Sequence, residues 1–196
     1  MIEEQKLEKY FNNLEDEEKI ILYSLGVLDN MPIKNKMKLQ KLLFLVSNIF
    51  ENYSDLLDFE PHLYGPYSEN LDDILEDLIK MRLVESEGSQ YKLSPLGKQL
   101  YDRLKPKKEL ITVLEDFKLF LNDLTNEELL TFIYVSYPEF TSEAVKWNKL
   151  KEKRVQYAVQ LLKKQKISFA KAVEISGLDA FDFELLTKKE GIKWKM

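Results

Sequence analysis

The sequence predicts a mainly α-helical fold with one small β-hairpin. Three observations predict it. Glycine and proline number only six each in 196 residues, too few turn-formers for an all-β chain. Apolar residues recur at three- and four-residue spacing over most of the length. One short region, 83–93, reads instead as two strands around Gly88-Ser89. Hydrophobic residues at 44% and charged residues at 32% give enough apolar material for a core and enough charge for solubility.

Residues 2–14 read as a short amphipathic helix. A second spans 16–28, with Ile20, Ile21, Leu25 and Leu28 at helical spacing. Asn30-Met-Pro32 breaks it. The third runs over 36–50, with Leu39, Leu42, Leu43, Val46 and Ile49 on its inner face. Pro61, Gly65 and Pro66 make 52–67 a connector without a helix. Ser68 caps a fourth helix to about residue 81, with Leu71, Ile74, Leu75 and Leu78 inward. The strands 83–86 and 90–93 follow. Ser94-Pro95 then opens a fifth helix, to about 104, as N-cap and N1 proline.

From the second helix on, this order of three helices, a hairpin and a further helix is that of a winged-helix-like domain, placed over 1–104. Residues 105–150 are expected to be a helical connector. It starts at the basic joint Lys105-Pro-Lys-Lys108 and continues with a helix over 109–122. Thr125-x-x-Glu128 is a capping box opening another helix to about 136, which Tyr137-Pro138 ends. Thr141 or Ser142 starts a short helix, and 150–164 a longer one. In the last unit, 151–196, Ser168 caps a helix that Gly177 terminates. Asp179 caps the next, and Gly191 sits at a C′ position. These two short helices form a helix-turn-helix-like pair.

Charge divides the chain. Residues 145–196 hold 13 Lys and Arg against 6 Asp and Glu, whereas 1–144 hold 16 against 28. A basic helical module on an acidic body suggests different partners for the two parts. Of the basic residues 26 are Lys and 3 are Arg, so bidentate recognition of phosphate or guanine is poorly supplied. With no Cys and one His, thiolate nucleophiles and Cys-based zinc sites are excluded, and no His-rich metal cluster can form. No apolar run approaches the length of a membrane span. The charged start of the chain does not read as a secretory signal, so a cytoplasmic location is expected.

Two resemblances rest on specific residues. Lys38-Leu-Gln-Lys-Leu-Leu-Phe44, followed by Phe59-Glu-Pro-His-Leu-Tyr-Gly-Pro-Tyr-Ser68, resembles the Panacea (SocA-like) antitoxin family. It is closer still to the YwgA-like bacterial and archaeal proteins. The resemblance covers about residues 17–104. It implies a mostly helical, winged-helix-like fold acting through protein contacts, without a defined reaction. The second covers about 157–192. Leu161-Leu-Lys-Lys-Gln-Lys-Ile-Ser-Phe-Ala-Lys-Ala-Val-Glu-Ile-Ser-Gly-Leu178, closing in Glu190-Gly-Ile192, is similar to small prokaryotic antitoxin-like helix-turn-helix proteins. The chain departs from that pattern after Ile192.

The groove-entering helix of a winged-helix domain would be 68–81, but its polar positions are Glu69, Asp72, Asp73, Glu76 and Asp77, with Lys80 late. Carboxylates repel a phosphate backbone, so this face reads as solvated or protein-contacting, in a module with the shape of a winged helix and without its DNA-reading function. The wing holds one Lys and two Glu and does not grip phosphate either. The loop residues His62, Tyr64 and Tyr67 are candidate protein contacts, since aromatics often anchor interfaces; the bland alternative is a rigid turn packed on the core. A lone His is more often structural than a ligand.

In the last unit Lys163, Lys164, Lys166, Lys171, Lys188 and Lys189, with Lys193 and Lys195, are candidate phosphate contacts flanking the helix-turn-helix. Against that stands the turn Asp179-Ala-Phe-Asp-Phe-Glu184, which has carboxylates where bases are usually read. The densest basic run is 146–154, where Trp147 could stack on a base or sit half buried. No catalytic motif occurs, and no cofactor is implied.

The expectation is a non-catalytic prokaryotic regulator or antitoxin-like protein. Its C-terminal unit would touch duplex DNA and its N-terminal module would bind a protein partner, a toxin or another. Helix-turn-helix proteins commonly dimerise, which makes a second copy, in a homodimer, a further candidate partner, though nothing in the sequence locates an interface. The alternative is an adaptor between proteins with no nucleic-acid role.

Overall fold

The computed structural model describes residues 2–192 and Trp194. It is mainly helical, with one small antiparallel sheet. Contacts divide the chain into two compact units. The first holds the chain through Glu60 together with Pro66–Asp123; the second holds Pro61–Gly65 and the chain from Leu124 on.

In the first unit α1 (Ile2–Asn13) packs on α6 (Pro95–Leu104), and α2 (Asp16–Asn30) is the central helix. Glu15 and Glu18 close a capping box at its start. Its whole middle, Ile20 through Val27, is buried. The helix ends earlier than its nominal bound. Val27 is extended, and Leu28, Asp29 and Asn30 all have positive φ, so Leu28 does not continue the helical stripe expected from its spacing. Asn30 then mimics a strand residue: its amide donates to Leu93 O at 2.9 Å and accepts from Leu93 N at 2.8 Å.

Helix α3 (Lys36–Ser47) is capped by Asn35 and buried on every side from Lys38 to Ser47. It stops three residues before the expected end, and Ile49 is 52% exposed instead of facing inward. The supposed connector contains α4 (Glu51–Leu57). The prolines that argued against a helix lie beyond it, and buried Leu57 anchors it before Asp58 turns left-handed.

Ser68 caps α5 (Glu69–Lys80) by accepting from Leu71 N. Strands β1 (Val84–Glu87) and β2 (Gln90–Leu93) pair Val84 with Leu93 and Glu87 with Gln90. An isolated antiparallel bridge joins Ile33 to Tyr91. Ser94 caps α6 through Gly97 N. Helix α7 (Lys108–Asp123) packs on α2 and α3 and thus lies inside the first unit, where the sequence suggested a connector. Asn122 holds it there, donating to Pro32 O at 2.9 Å and accepting from Lys34 N at 3.2 Å.

In the second unit α8 (Asn126–Ser136) opens on the Thr125–Glu128 capping box. A 3-10 turn, Pro138–Thr141, precedes α9 (Trp147–Glu152) and α10 (Arg154–Lys163). The single helix expected over 150–164 is therefore two, divided at Lys153, whose φ of −108 and ψ of 9 leave the helical range. Helices α11 (Phe169–Ser176) and α12 (Ala180–Lys189) follow, with the predicted caps at Ser168 and Asp179 and a left-handed Gly177 between them. Arg154 reaches back to the end of α11, donating from Nε to Ile175 O at 2.6 Å and from Nη2 to Glu174 O at 2.8 Å. Those carbonyls have no partner inside the helix. No helix among the described residues is long and apolar enough to cross a membrane.

Candidate functional site

The two stretches at 38–44 and 59–68 form one polar network in the first unit. Gln40, on α3, faces Ser68 at the start of α5. Its Nε2 donates to Ser68 O at 2.8 Å, and its Oε1 accepts from Ser68 N at 3.0 Å. The same Nε2 donates to Asp72 Oδ1 at 3.0 Å. Lys36 and the Tyr67 hydroxyl donate to Asp72 Oδ2 at 3.1 and 2.7 Å. Lys41 donates to Pro66 O at 2.7 Å. Glu60 and Tyr67 exchange backbone bonds of 2.9 Å that close the base of the loop. The Phe44 and Phe59 rings meet edge to face at 5.4 Å. The motif is thus a clasp: α3 holds the start of α5 by its backbone and by its first inward carboxylate.

Burial sets the charge states in this region. It lowers the Lys41 ammonium to about 7, because a charge is costly away from water. Lys118 is treated alike. Its Nζ donates to Leu25 O at 2.7 Å and Val27 O at 3.3 Å, the carbonyls freed where α2 unwinds, and burial brings it to about 7. Tyr67 is pushed up to about 12, first by burial and then by its bond to Asp72. Lys38 is also buried, with Nζ 3.4 Å from Asn122 O. These amines are satisfied by carbonyls and have no exposed face for a substrate. The network positions the start of α5.

That positioning sorts the α5 carboxylates. Asp72 is drawn into the clasp, while Glu69, Asp73, Glu76 and Asp77 stay exposed. Asp77 pairs with Lys80 at 2.8 Å. The outcome is an acidic outer face on a helix fixed from within.

The predicted loop residues separate. Tyr67 belongs to the first unit and turns its hydroxyl to Asp72. His62 and Tyr64 belong to the second. Tyr64 is exposed beneath the Lys146 ammonium, 5.3 Å from the ring centroid, and His62 is half-buried.

Four of the eight predicted phosphate contacts are ion-paired within the second unit. Lys163 meets Glu190 at 2.8 Å, Lys171 meets Glu174 at 2.8 Å and Lys188 meets Glu184 at 2.6 Å. Lys164 meets Glu128 at 2.7 Å, and that carboxylate is buried and also accepts from Thr125 N. Lys166 is half-buried and lines a cleft of 560 Å³ with Phe169 and Trp194, whose rings stack at 4.7 Å. Lys189 is exposed on the last turn of α12. Lys193 and Lys195 lie outside the described residues.

At the start of α12, Asp179 accepts from Phe181 N and Asp182 N, both at 2.9 Å, which holds its carboxyl below the usual range. Phe181 and Leu185, one turn apart, are 67% and 51% exposed. An aromatic, an aliphatic and a carboxylate thus stand where a DNA reader would carry Arg, Asn or Gln.

Sequence reasoning missed Gln40, Lys41, Lys118 and Asn122. Their signal was present: a polar residue inside an unbroken apolar helix must bond to backbone or another buried group. No group of His, Asp and Glu among the described residues is arranged to hold a metal ion. No protein-family model matches the chain, and no curated protein matches it.

Proposed function

We propose that the protein is a non-catalytic, protein-binding regulator whose α5 offers an acidic face to a partner with a basic surface. The carrying observation is the sorting of the α5 carboxylates. The Gln40–Ser68 clasp withdraws Asp72 and leaves Glu69, Asp73, Glu76 and Asp77 outward. An interface on a helix held this rigidly loses little entropy on docking.

A winged-helix reading of the first unit is supported by the Ile33–Tyr91 bridge, which adds a third rung beside β1 and β2. The antitoxin-like reading, with a toxin or another protein as partner, rests on the residues at 38–44 and 59–68 and accords with an acidic contact helix. A second reading, duplex DNA at the C-terminal unit, is favoured by exposed Lys189 and by the positive balance of residues 145–196.

Titration against duplex DNA at low and moderate salt separates the two. Weak, sequence-indifferent binding that vanishes at moderate salt supports the protein-binding reading. Tight, sequence-selective binding lost in Lys188→Glu/Lys189→Glu supports the second.

A further inference from the structure

Among the described residues of the second unit, one group of lysines gathers outside the helix-turn-helix. Lys146, Lys149 and Lys153 converge with Tyr157 and Glu127 on one cleft of 260 Å³, floored by Leu150. Among the described residues, ion pairs in this unit engage Lys163, Lys164, Lys171 and Lys188; Lys149 and Lys153 take part in none of these, and both are exposed. Lys146 lies over the Tyr64 ring. Two other members of the basic run are committed elsewhere. Arg154 caps α11, and Trp147 packs edge to face on buried Tyr134 at 5.5 Å.

The chemistry of the cleft points to one class of ligand. The three amines outnumber its one carboxylate by two, which matches a doubly charged anion. Lysine ammonium groups bind phosphate as point charges and need no fixed fork geometry. Tyr157 lines the cleft and Tyr64 lies exposed under Lys146, so aromatic surface of the kind that binds a base or a sugar stands beside the amines. We propose that this cleft binds a phosphate dianion, presented by a phosphorylated small molecule or by the terminal phosphate of single-stranded nucleic acid. The site is independent of the α5 face, so either can fail without the other.

Calorimetric titration of the full chain at low salt, with inorganic pyrophosphate and with short oligothymidylates bearing a 5′-phosphate or a 5′-hydroxyl, tests it. Saturable one-to-one binding of pyrophosphate is expected, weakened about tenfold or more in Lys149→Glu/Lys153→Glu. The neutral Lys149→Gln/Lys153→Gln should show an intermediate loss, and Lys188→Glu/Lys189→Glu none. Circular dichroism identifies any variant that is misfolded, and the neutral pair then decides. If the 5′-phosphorylated strand binds more tightly than pyrophosphate, the source is the strand; if pyrophosphate binds as well or better, it is the small molecule. The proposal is overturned if the wild type binds no phosphate saturably, if the charge-altered variants bind unchanged, or if the 5′-hydroxyl strand binds as tightly as the phosphorylated one.

Discussion

The Gln40 side chain and the Ser68 backbone form a reciprocal pair, donating at 2.8 Å and accepting at 3.0 Å. The amide thereby takes the place of a strand neighbour at Ser68, one residue past the Glu60–Tyr67 bridge and at the residue that caps α5. Removing the amide strands two buried backbone groups. Gln40→Leu, which conserves bulk, is expected to lower unfolding stability by about 2–4 kcal/mol, read as a fall in denaturant midpoint with unchanged slope. Gln40→Glu should also lose stability, because its carboxylate cannot donate to Ser68 O.

The buried lysines set the pH dependence. Lys41 and Lys118 are held at about 7 in the fold, against about 10.4 in an open chain. Between those values the unfolded chain binds more protons than the native protein, so stability rises with pH over that window. Below about 7 both states are protonated and the cost of the buried charge is fully present. Tyr67 and Tyr134, both raised to about 12, act in the opposite sense once the open-chain tyrosines ionise near about 10. Chemical denaturation across pH 7 to 11 should therefore show stability climbing and then turning over. Lys118→Met should flatten the climb.

Glycine at 97 is required by contact, not by backbone angle. A Cβ there would overlap the Leu83 carbonyl oxygen, which is backbone and cannot give way. Gly97→Ala should cost about 3 kcal/mol. Gly88 at the hairpin tip has φ of +61 and open space around it, so Gly88→Ala should cost only the left-handed strain of about 1–2 kcal/mol. Thermal melts of the two variants check the ordering.

Lys164 supports the fold before it can support any ligand. Its partner Glu128 is buried and also closes the α8 capping box. Lys164→Ala leaves that carboxylate without its cation and should destabilise by about 1–3 kcal/mol. Lys188→Ala removes an exposed pair one turn apart on α12 and should change stability by less than about 0.5 kcal/mol. Loss of DNA binding in a Lys164→Glu protein would therefore first need a stability control.

The sequence made the helices and their caps legible because those signals are local. Ser68, Ser94, Thr125, Ser168 and Asp179 each cap the predicted helix. What it left hidden depends on distance. Helix α4 was masked by prolines that lie just past it. The break at Lys153 accompanies an Arg154 that is turned to carbonyls twenty residues away. Lysines 163, 164, 171 and 188 read as free charge because the carboxylates that meet them follow from the fold or from helical neighbours. The motif at 38–41 was recognisable as a pattern, whereas its partner, the backbone at Pro66 and Ser68, has no side-chain signature.

The most direct measurement of the central claim compares three immobilised proteins as bait in the same extract. They are the wild type, Asp73→Lys/Glu76→Lys/Asp77→Lys on the outer face of α5, and Lys188→Glu/Lys189→Glu on α12. The account predicts a protein retained by the wild type and the α12 variant, lost from the α5 variant, and shown by cross-linking to lie against α5. Equal retention by all three, or retention that fails only in the α12 variant, would contradict it.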